Sequence, residues 1–288
     1  MKYKKLIYLL IITVILLFTI VFYYYIAYQD LTVSYYELNL DVNEPIRIVQ
    51  LSDLHNEEFG NKNSDLIELV KIQEPDLIFM SGDMLNRDDP NEDVVLELIS
   101  SLKDIAPIYF GYGNHEYSWE TTFKKILKYD LETAGAVIVN NNYYDIEFKG
   151  TELRIGGYMG YWHQPHMFTQ NQYIIRKEKE FADDFENTVR IKLLINHVAT
   201  QWVDWNYIDK HPVDVVFSGH YHGGIIRIPF IDRGVFAPYV GWFPPRTKGM
   251  YIGKKATCIL SAGLGDERGI PRINNPPEIV VVDLIPNG

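Results

Sequence analysis

The chain has 288 residues, 47% of them hydrophobic, a composition that excludes the disordered and fibrous classes. Its formal net charge of -11 argues against general nucleic-acid binding, because holding a polyanion by its phosphates requires clustered Lys and Arg. Cys258 is the only cysteine, so an intramolecular disulfide and a cysteine-based metal site are excluded, and we expect a small buried apolar side chain there.

The N-terminus carries a candidate membrane anchor. From Leu6 to Tyr28 no residue is charged, and a helix of that length, at about 1.5 Å per residue, crosses the roughly 30 Å hydrocarbon core of a bilayer. Lysines precede this segment and acidic residues follow it. The positive-inside rule therefore predicts a cytoplasmic stretch over 1–5, an anchor over 6–28, and later residues on the extracytoplasmic side of the cell membrane.

A cleaved signal peptide is the alternative interpretation of this segment. The apolar stretch is longer than the 7–15 residues, roughly, of a signal peptide, and Tyr25-Ile26-Ala27 is a poor cleavage site. We therefore expect the anchor to be retained.

The remaining residues indicate one layered α/β domain. After a linker and first strand region over 29–44, apolar runs of strand length alternate with amphipathic segments of helical period over 45–288. The first three strands, predicted to be parallel, are expected at 47–53, 76–83 and 107–113. The helices that follow them are expected at 64–73, at 91–105, and from a cap at Ser118 to a stop at Gly135.

The second half of the domain contains a hairpin and four further strands. The hairpin has strands at 143–148 and 152–156, joined around Lys149-Gly150. The next two strands, at 189–195 and 213–218, flank a short helix beginning near Thr200. The last two are predicted at 256–260 and 278–284. Two packed sheets covered by helices accommodate these elements.

Five of the predicted strands end in residues that bind metal ions. The groups are Asp53-Leu54-His55, Gly82-Asp83, Gly113-Asn114-His115-Glu116, Asn196-His197 and Gly219-His220-Tyr221-His222. Because active sites of α/β sheets gather at the carboxyl ends of strands, we expect these groups to converge. Carboxylate oxygen with imidazole nitrogen suits Mn, Fe or Zn, and the preceding glycines permit close backbone approach. The pattern predicts a centre for a pair of metal ions.

These motifs resemble those of the calcineurin-like metallophosphoesterase family, and within it the membrane-associated phosphoesterases of the YkuE and YaeI type. The similarity runs in order from about residue 45 to the C-terminus and includes the stretch from Pro271 to Glu278. It implies an α/β fold of the four-layer αββα sandwich type, with two mixed sheets flanked by helices, behind an N-terminal transmembrane helix. It also implies that the chain is a metallophosphoesterase.

The resemblance assigns the metal ligands. One ion would be held by Asp53, His55, Asp83 and His222, and the other by Asp83, Asn114, His197 and His220. Two divalent ions carry about +4, and two aspartates with a bridging hydroxide return about -3, which leaves a positive site for phosphate. The bridging hydroxide would attack phosphorus in line. Manganese is expected by analogy, with Fe or Zn as alternatives.

Other residues near the motifs receive less definite roles. The resemblance makes His115 the general acid or charge stabiliser, and Glu116 is interpreted as the residue that orients it. Arg268 and Arg272 are candidate substrate-binding residues, with a loop salt bridge as the alternative for each. Three histidines match no motif and are expected to face solvent or to form local hydrogen bonds: His163, His166 and His211.

The aromatic segment over 236–245 follows the last ligands and is difficult to bury as a strand. It is interpreted as bordering the pocket, and one hypothesis is that it touches the bilayer or an acyl chain; ordinary loop packing is the alternative. The expected partners are a small-molecule or lipid-linked phosphoester substrate and the cytoplasmic membrane through 6–28. A second hypothesis makes the chain a catalytically silent, membrane-tethered binding or scaffold module of the same fold.

Overall fold

The computed structural model describes residues 2–29, 31–160, 172–228, 230–231, 233–266 and 270–288. The α-helices are α1 Lys2–Gln29, α2 Ser64–Lys71, α3 Asp93–Leu102, α4 Asn114–Phe123, α5 Lys128–Ala134, α6 Gln172–Glu186 and α7 Thr200–Val203. The strands are β1 Thr32–Leu40, β2 Ile46–Leu51, β3 Leu77–Met80, β4 Ile108–Phe110, β5 Ala136–Ile138, β6 Asn142–Phe148, β7 Thr151–Gly157, β8 Ile191–Val198, β9 Val215–Gly219, β10 Phe236–Ala237, β11 Gly241–Trp242, β12 Gly249–Ile252, β13 Thr257–Leu260 and β14 Glu278–Pro286.

Two six-stranded sheets form the centre of the molecule. The first has the order β1-β14-β2-β3-β4-β5 and the second the order β12-β13-β9-β8-β7-β6, while β10 and β11 form a separate hairpin. Strands β2, β3, β4 and β5 are parallel neighbours, as are β13, β9, β8 and β7. Antiparallel pairs elsewhere make both sheets mixed. The parallel arrangement predicted for the first three core strands is confirmed.

The hydrophobic cores define four layers. Ile48 and Phe79 of the first sheet pack against Leu193 and Phe217 of the second, which fills the space between the sheets. The outer face of the first sheet is covered by α2, α3, α4 and α5, and α6 and α7 cover the second. A strand that is buried on both faces needs apolar residues throughout, which explains why the sequence of β3 is a continuous apolar run. The predicted αββα sandwich is confirmed.

The predicted helix from Ser118 to Gly135 is wrong. Helix α4 begins four residues earlier, at Asn114, because the Glu116 carboxylate accepts a hydrogen bond from the Gly113 N–H at 2.7 Å and closes the first turn. Ser118 lies inside α4, where its hydroxyl donates to the Asn114 carbonyl at 2.8 Å. Lys124, at φ 54°, ends this helix, and the separate helix α5 leads to Gly135.

Helix α1 contains an apolar segment long enough to cross a membrane. Tyr3–Tyr23 has a mean hydropathy of 2.9, and none of it is buried against the rest of the protein. Among the described residues, α1 is the one helix with this length and composition. The Tyr23 hydroxyl donates to the Asn274 side-chain oxygen at 3.1 Å, which brings the end of the apolar segment to the loop before β14.

Candidate metal centre

The carboxyl ends of five strands converge on one buried point. Strands β2, β3 and β4 of the first sheet lead into Asp53, Asp83 and the start of α4, while β8 carries His197 and β9 leads into His220. Six of the seven predicted ligands are buried, and Asn114 is half-buried. The loops of both sheets therefore contribute to the same site.

The candidate ligands form three overlapping groups, and the ligand atoms within each group lie within 4.8 Å of one another. The groups are Asp53 with His55 and His222, His55 with Asp83 and His115, and Asp83 with His197 and His220. The His197 Nε2 atom lies 3.0 Å from Asp83 Oδ2 and 3.8 Å from Asp53 Oδ1. His222 Nε2 lies 3.4 Å from Asp53 Oδ1. The site is one connected cluster in which the two aspartates link the histidines.

The two aspartates also fix the loops of the opposing ligands. Asp53 accepts hydrogen bonds from the His220 N–H at 3.0 and 3.2 Å, which ties the end of β2 to the end of β9. Asp83 Oδ1 accepts from the His115 N–H at 2.7 Å and ties the end of β3 to the start of α4. The Ser52 hydroxyl donates to Asp53 Oδ2 at 2.5 Å. Each carboxylate keeps acceptor capacity for a further partner because its two oxygens offer about four lone-pair sites.

Five of the seven predicted ligands have a left-handed backbone. Their φ angles are 53° for Asp53, 50° for His55, 52° for Asp83, 73° for His220 and 46° for His222. Such conformations cost about 1–3 kcal/mol each for residues other than glycine and persist where the surrounding structure enforces them. The accumulation of this strain at one point is typical of a functional site.

Two glycines allow these loops to approach one another. A Cβ atom at Gly219 would collide with the Ser52 hydroxyl and the Asp53 carboxylate, and one at Gly82, which has φ 94°, would collide with the Gly113 backbone. Close packing of the strand ends therefore requires glycine at both positions.

His115 is oriented by the backbone. The Arg87 N–H donates to His115 Nδ1 at 3.2 Å, so in a neutral ring the proton is on Nε2, which lies 4.0 Å from Asp83 Oδ2 at the edge of the cluster. The interpretation that Glu116 orients this ring is wrong. Its buried carboxylate accepts instead from four backbone N–H groups, those of Asp83, Met84, Leu85 and Gly113.

The titration properties of the cluster suit cation binding. Burial lowers the pKa of His55 and of His220 well below the ordinary value, which keeps both imidazoles in the neutral form that binds metals. Burial opposes protonation of His197, but Asp83 and Asp53 raise its pKa to about 10. Burial likewise opposes ionisation of Asp83, yet His197 and His115 hold its pKa well below the usual range. The two carboxylates therefore stabilise positive charge between them.

Several buried polar atoms of the cluster support a metal-binding role. Within the described part of the chain, no hydrogen-bond partner is present for either ring nitrogen of His55, for Asn114 Oδ1 or for His220 Nε2. A buried polar atom without a partner costs about 1–3 kcal/mol, and here these atoms are gathered in one place. Carboxylate, amide and imidazole groups are the donor set of hard and borderline divalent ions. The residues present fit divalent metal ions.

The other predicted site residues differ in their placement. Arg272 is buried, and its guanidinium donates to the carbonyls of Gly265 and Ala262, so it holds the loop after β13; substrate contact remains a prediction for it. Arg268, His163 and His166 lie outside the described residues. His211 pairs with Glu186 at 2.9 Å, a local hydrogen bond as predicted.

One contributor to the site lies in a segment that was predicted to border the pocket, and a second was not predicted from the sequence. The Tyr239 ring stacks on His220 with 4.9 Å between the ring centroids and 20° between the planes. The loop after β13 fixes the first motif, because the Leu264 and Gly265 N–H groups donate to the carbonyls of Ser52 and Asp53 at 2.9 and 2.6 Å. Tyr239 belongs to the aromatic segment over 236–245 that was interpreted as bordering the pocket, and its stacking on His220 agrees with that interpretation. Nothing in the sequence marks the backbone contacts of the loop after β13.

The buried Asp/His cluster at the strand ends of the αββα sandwich defines a site for divalent metal ions. The chain belongs to the calcineurin-like phosphoesterase family, whose sequence model matches residues 46–224, and it is a phosphoric ester hydrolase. It is 26% identical to the metallophosphoesterase YkoQ of Bacillus subtilis, with 83% of this chain and 84% of the relative covered. It is 25% identical to the phosphodiesterase YaeI of Escherichia coli, with 84% and 83% covered, and 27% identical to the metallophosphoesterase YkuE of Bacillus subtilis, with 83% and 78% covered.

Proposed function

We propose that this chain is a membrane-tethered hydrolase that uses two divalent metal ions to cleave phosphate esters or pyrophosphates. One observation carries the proposal. Asp83 belongs to two of the ligand groups at once, one with His55 and one with His197 and His220. A carboxylate shared between neighbouring groups is the ligand that a pair of ions about 3.5–4 Å apart requires.

In this proposal Asp53, His55, Asp83 and His222 hold one ion, and Asp83, Asn114, His197 and His220 hold the other. When bound, the ions supply positive charge for the phosphoryl oxygens and lower the pKa of water so that hydroxide becomes available as nucleophile. The hydrogen bonds that the His220 N–H donates to Asp53 and the His115 N–H donates to Asp83 fix the positions of the ligand loops. Manganese is our proposed metal, with iron and zinc as the alternatives that the same donor set accepts.

His115 acts on the leaving group. Its Nε2 proton faces the cluster because the Arg87 N–H occupies Nδ1. His115 can therefore donate a proton to the leaving oxygen or stabilise the negative charge that develops on it. The His115 ring is buried, so water is excluded from the hydrogen bond that its Nε2 proton would make to the leaving oxygen.

Helix α1 provides the tether in this proposal, with residues 6–28 as the anchor and 45–288 as the catalytic domain. Lys2, Lys4 and Lys5 before the apolar segment favour a cytoplasmic N-terminus and an extracytoplasmic catalytic domain. The name of the Escherichia coli relative, a phosphodiesterase, supports phosphodiesters among the substrates.

The test uses the full chain purified in detergent, loaded with Mn, Fe or Zn. We expect about two ions per chain, by the two-ion arrangement, and release of nitrophenol from mono- or bis-nitrophenyl phosphate. Asp83→Asn, which removes the shared ligand, is expected to lose both the metal and the activity. Asp93→Asn, an exposed residue in the first turn of α3, is the matched control and keeps both.

His115→Ala separates proton donation from metal binding. We expect it to retain both ions while its rate falls about 10²–10⁴-fold on esters with an alkyl leaving group, and much less on nitrophenyl esters, whose leaving group needs little protonation. A wild-type chain that binds two ions but hydrolyses no phosphoester would favour the silent scaffold module instead. Equal losses on both classes of ester would contradict the role given to His115.

A further inference from the structure

Three loops beside the metal centre expose large apolar side chains. We call these residues the aromatic loop surface: Phe230, Ile231, Tyr239, Trp242, Phe243 and Ile270. Phe230 is fully exposed, and Trp242 and Phe243 are 72% and 55% exposed. Leaving such side chains in water is unfavourable relative to burying them, because their apolar area stays hydrated. A concentration of them on adjacent loops marks an interaction surface.

The loops of this surface are joined by backbone hydrogen bonds. The Phe243 N–H donates to the Val235 carbonyl at 2.8 Å, which connects the β10–β11 hairpin to the loop that carries Phe230. The Arg227 N–H donates to the Ile273 carbonyl at 2.9 Å, which connects that loop to the segment that follows Ile270. The exposed side chains therefore belong to one connected structure.

The same structure borders the metal centre. The Asn275 side-chain amide donates to the His222 carbonyl at 2.7 Å. Tyr239 stacks on the His220 ring. Whatever covers the aromatic loop surface therefore lies next to the metal ligands.

Helix α1 contacts the segment that supports the aromatic loop surface, and the contact indicates how this surface lies relative to the membrane. The hydroxyl of Tyr23, which ends the apolar span Tyr3–Tyr23 and lies in the last quarter of the proposed anchor over 6–28, donates to Asn274, the neighbour of Asn275. If α1 crosses a bilayer, Asn274 lies close to the boundary between the hydrocarbon and the headgroups. Aromatic side chains are favoured at that level because their apolar rings and polar tips match the interface.

We propose that the aromatic loop surface rests on the bilayer that α1 crosses, so that the metal centre faces the headgroup layer and cleaves phosphate esters carried by membrane lipids. This deepens the proposed function and rests on it. Apolar side chains inserted about 5–10 Å into the interface would orient the domain. The reactive phosphate would then reach the ions while its acyl chains remain in the membrane.

The first test measures contact without catalysis. The full chain is reconstituted into vesicles that contain lipids brominated on the acyl chains, and tryptophan fluorescence quenching is recorded. Helix α1 contains no tryptophan, so the signal comes from the rest of the chain. We expect strong quenching that falls by more than half in Trp242→Phe. Flotation of the vesicles with the protein establishes that it is inserted, and quenching unchanged by Trp242→Phe would overturn the proposal.

The second test compares two substrates. We expect Trp242→Ser/Phe243→Ser to lower turnover of a phospholipid in vesicles by at least about tenfold, because two apolar side chains no longer insert, and to leave turnover of soluble bis-nitrophenyl phosphate unchanged. The matched control is Ile126→Ser/Tyr129→Ser, which removes side chains 60% and 67% exposed beside and on α5 and should change neither rate.

The outcomes separate this inference from the proposed function. A wild-type chain that hydrolyses neither substrate contradicts the proposed function, and the quenching result still decides the membrane contact. Equal effects of the two double variants on the vesicle substrate would overturn the inference. So would a dimer in detergent that Trp242→Ser/Phe243→Ser converts to a monomer, because the surface would then be covered by a second copy of the chain.

Discussion

At the residue scale, the candidate centre depends on acceptors that hold backbone N–H groups. Asp53 and Asp83 each fix a ligand loop from another strand, and Glu116 holds the turn from Asp83 to Leu85. Burial and the nearby Asp83 raise the pKa of Glu116 to about 7, while hydrogen bonds from Leu85 and Gly113 act in the opposite direction. Glu116 therefore positions the proposed ligand Asp83 without belonging to the proposed ligand set.

This role predicts a large effect for Glu116→Gln. Each carboxylate oxygen accepts from two N–H groups, so replacing one oxygen by an amide NH₂ leaves two buried donors without an acceptor. We expect the free energy of unfolding to fall by about 2–6 kcal/mol, with a loss of metal affinity.

Glu120→Gln is the control for this prediction. The hydroxyl of Tyr112 and the N–H of Leu127 both donate to the same Glu120 oxygen, which the amide can replace. Thermal unfolding should therefore shift by the equivalent of less than about 1 kcal/mol. Equal shifts in the two variants would show that the Glu116 interactions are not what stabilises the loop.

At the element scale, the strands that carry the ligands are the ones that the sequence predicted best. Strands β2, β3, β8 and β9 are almost wholly buried, so apolar runs ending in Gly, Asp or His mark them clearly. The edge strand β12 was missed because it is largely half-exposed and lacks such a signal. The edge strand β1, which is half-exposed as well, lies within the linker and first strand region predicted over 29–44. Helix α4 was misplaced because its start depends on a contact from Glu116 to the backbone.

The ligand types and their convergence were predictable, because the sequence gives the identity of each side chain and its position at a strand end. The contributions of the backbone to the site were not predictable. Packing around the site determines which N–H group orients His115, here that of Arg87, and it determines the left-handed conformations of Asp53 and Asp83. No residue type in the sequence signals either feature.

An ion pair links the two strands of the β6–β7 hairpin in addition to their backbone pairing. Arg154 forms a bidentate bond with Asp145 at 2.7 and 2.9 Å and also donates to the Asp184 carbonyl of α6. The hydrogen bond from Arg154 lowers the pKa of Asp145. Because the folded pKa is depressed, the stabilisation is present above the unfolded value, about 3.9, and is lost as the pH falls through the lower folded value.

We therefore expect Asp145→Asn to lower the free energy of unfolding at pH 7 by about 1–2 kcal/mol. The difference from wild type should shrink as the pH falls below about 4. Glu147→Gln, at another exposed position of β6, is the control and should have little effect. A difference independent of pH in acid denaturation curves would contradict the ionic origin of the stabilisation.

At the scale of the whole molecule, the candidate centre joins the two sheets. Asp53 and Asp83 follow strands of the first sheet, whereas His197 and His220 belong to the second. Ions held by both sets would therefore connect the two halves of the sandwich at one edge, where the ligand backbones are strained.

Metal removal is accordingly expected to destabilise the whole fold. Ligands that bind only the folded state stabilise it by about 2.7 kcal/mol at a free concentration 100 times Kd. A chelator should lower the Tm of the wild-type chain by several degrees and leave the Tm of Asp83→Asn unchanged. An equal decrease in both proteins would indicate that the chelator acts elsewhere.

The single cysteine has a practical consequence. Cys258 is wholly buried in β13, and burial raises the pKa of its thiol to about 12, so at neutral pH it offers almost no thiolate to alkylating reagents. A thiol introduced at any exposed position can thus be labelled selectively in the otherwise native chain. Spin labels or fluorophores placed one position at a time around the molecule could then report its tilt and immersion, without a cysteine-free background having to be engineered first.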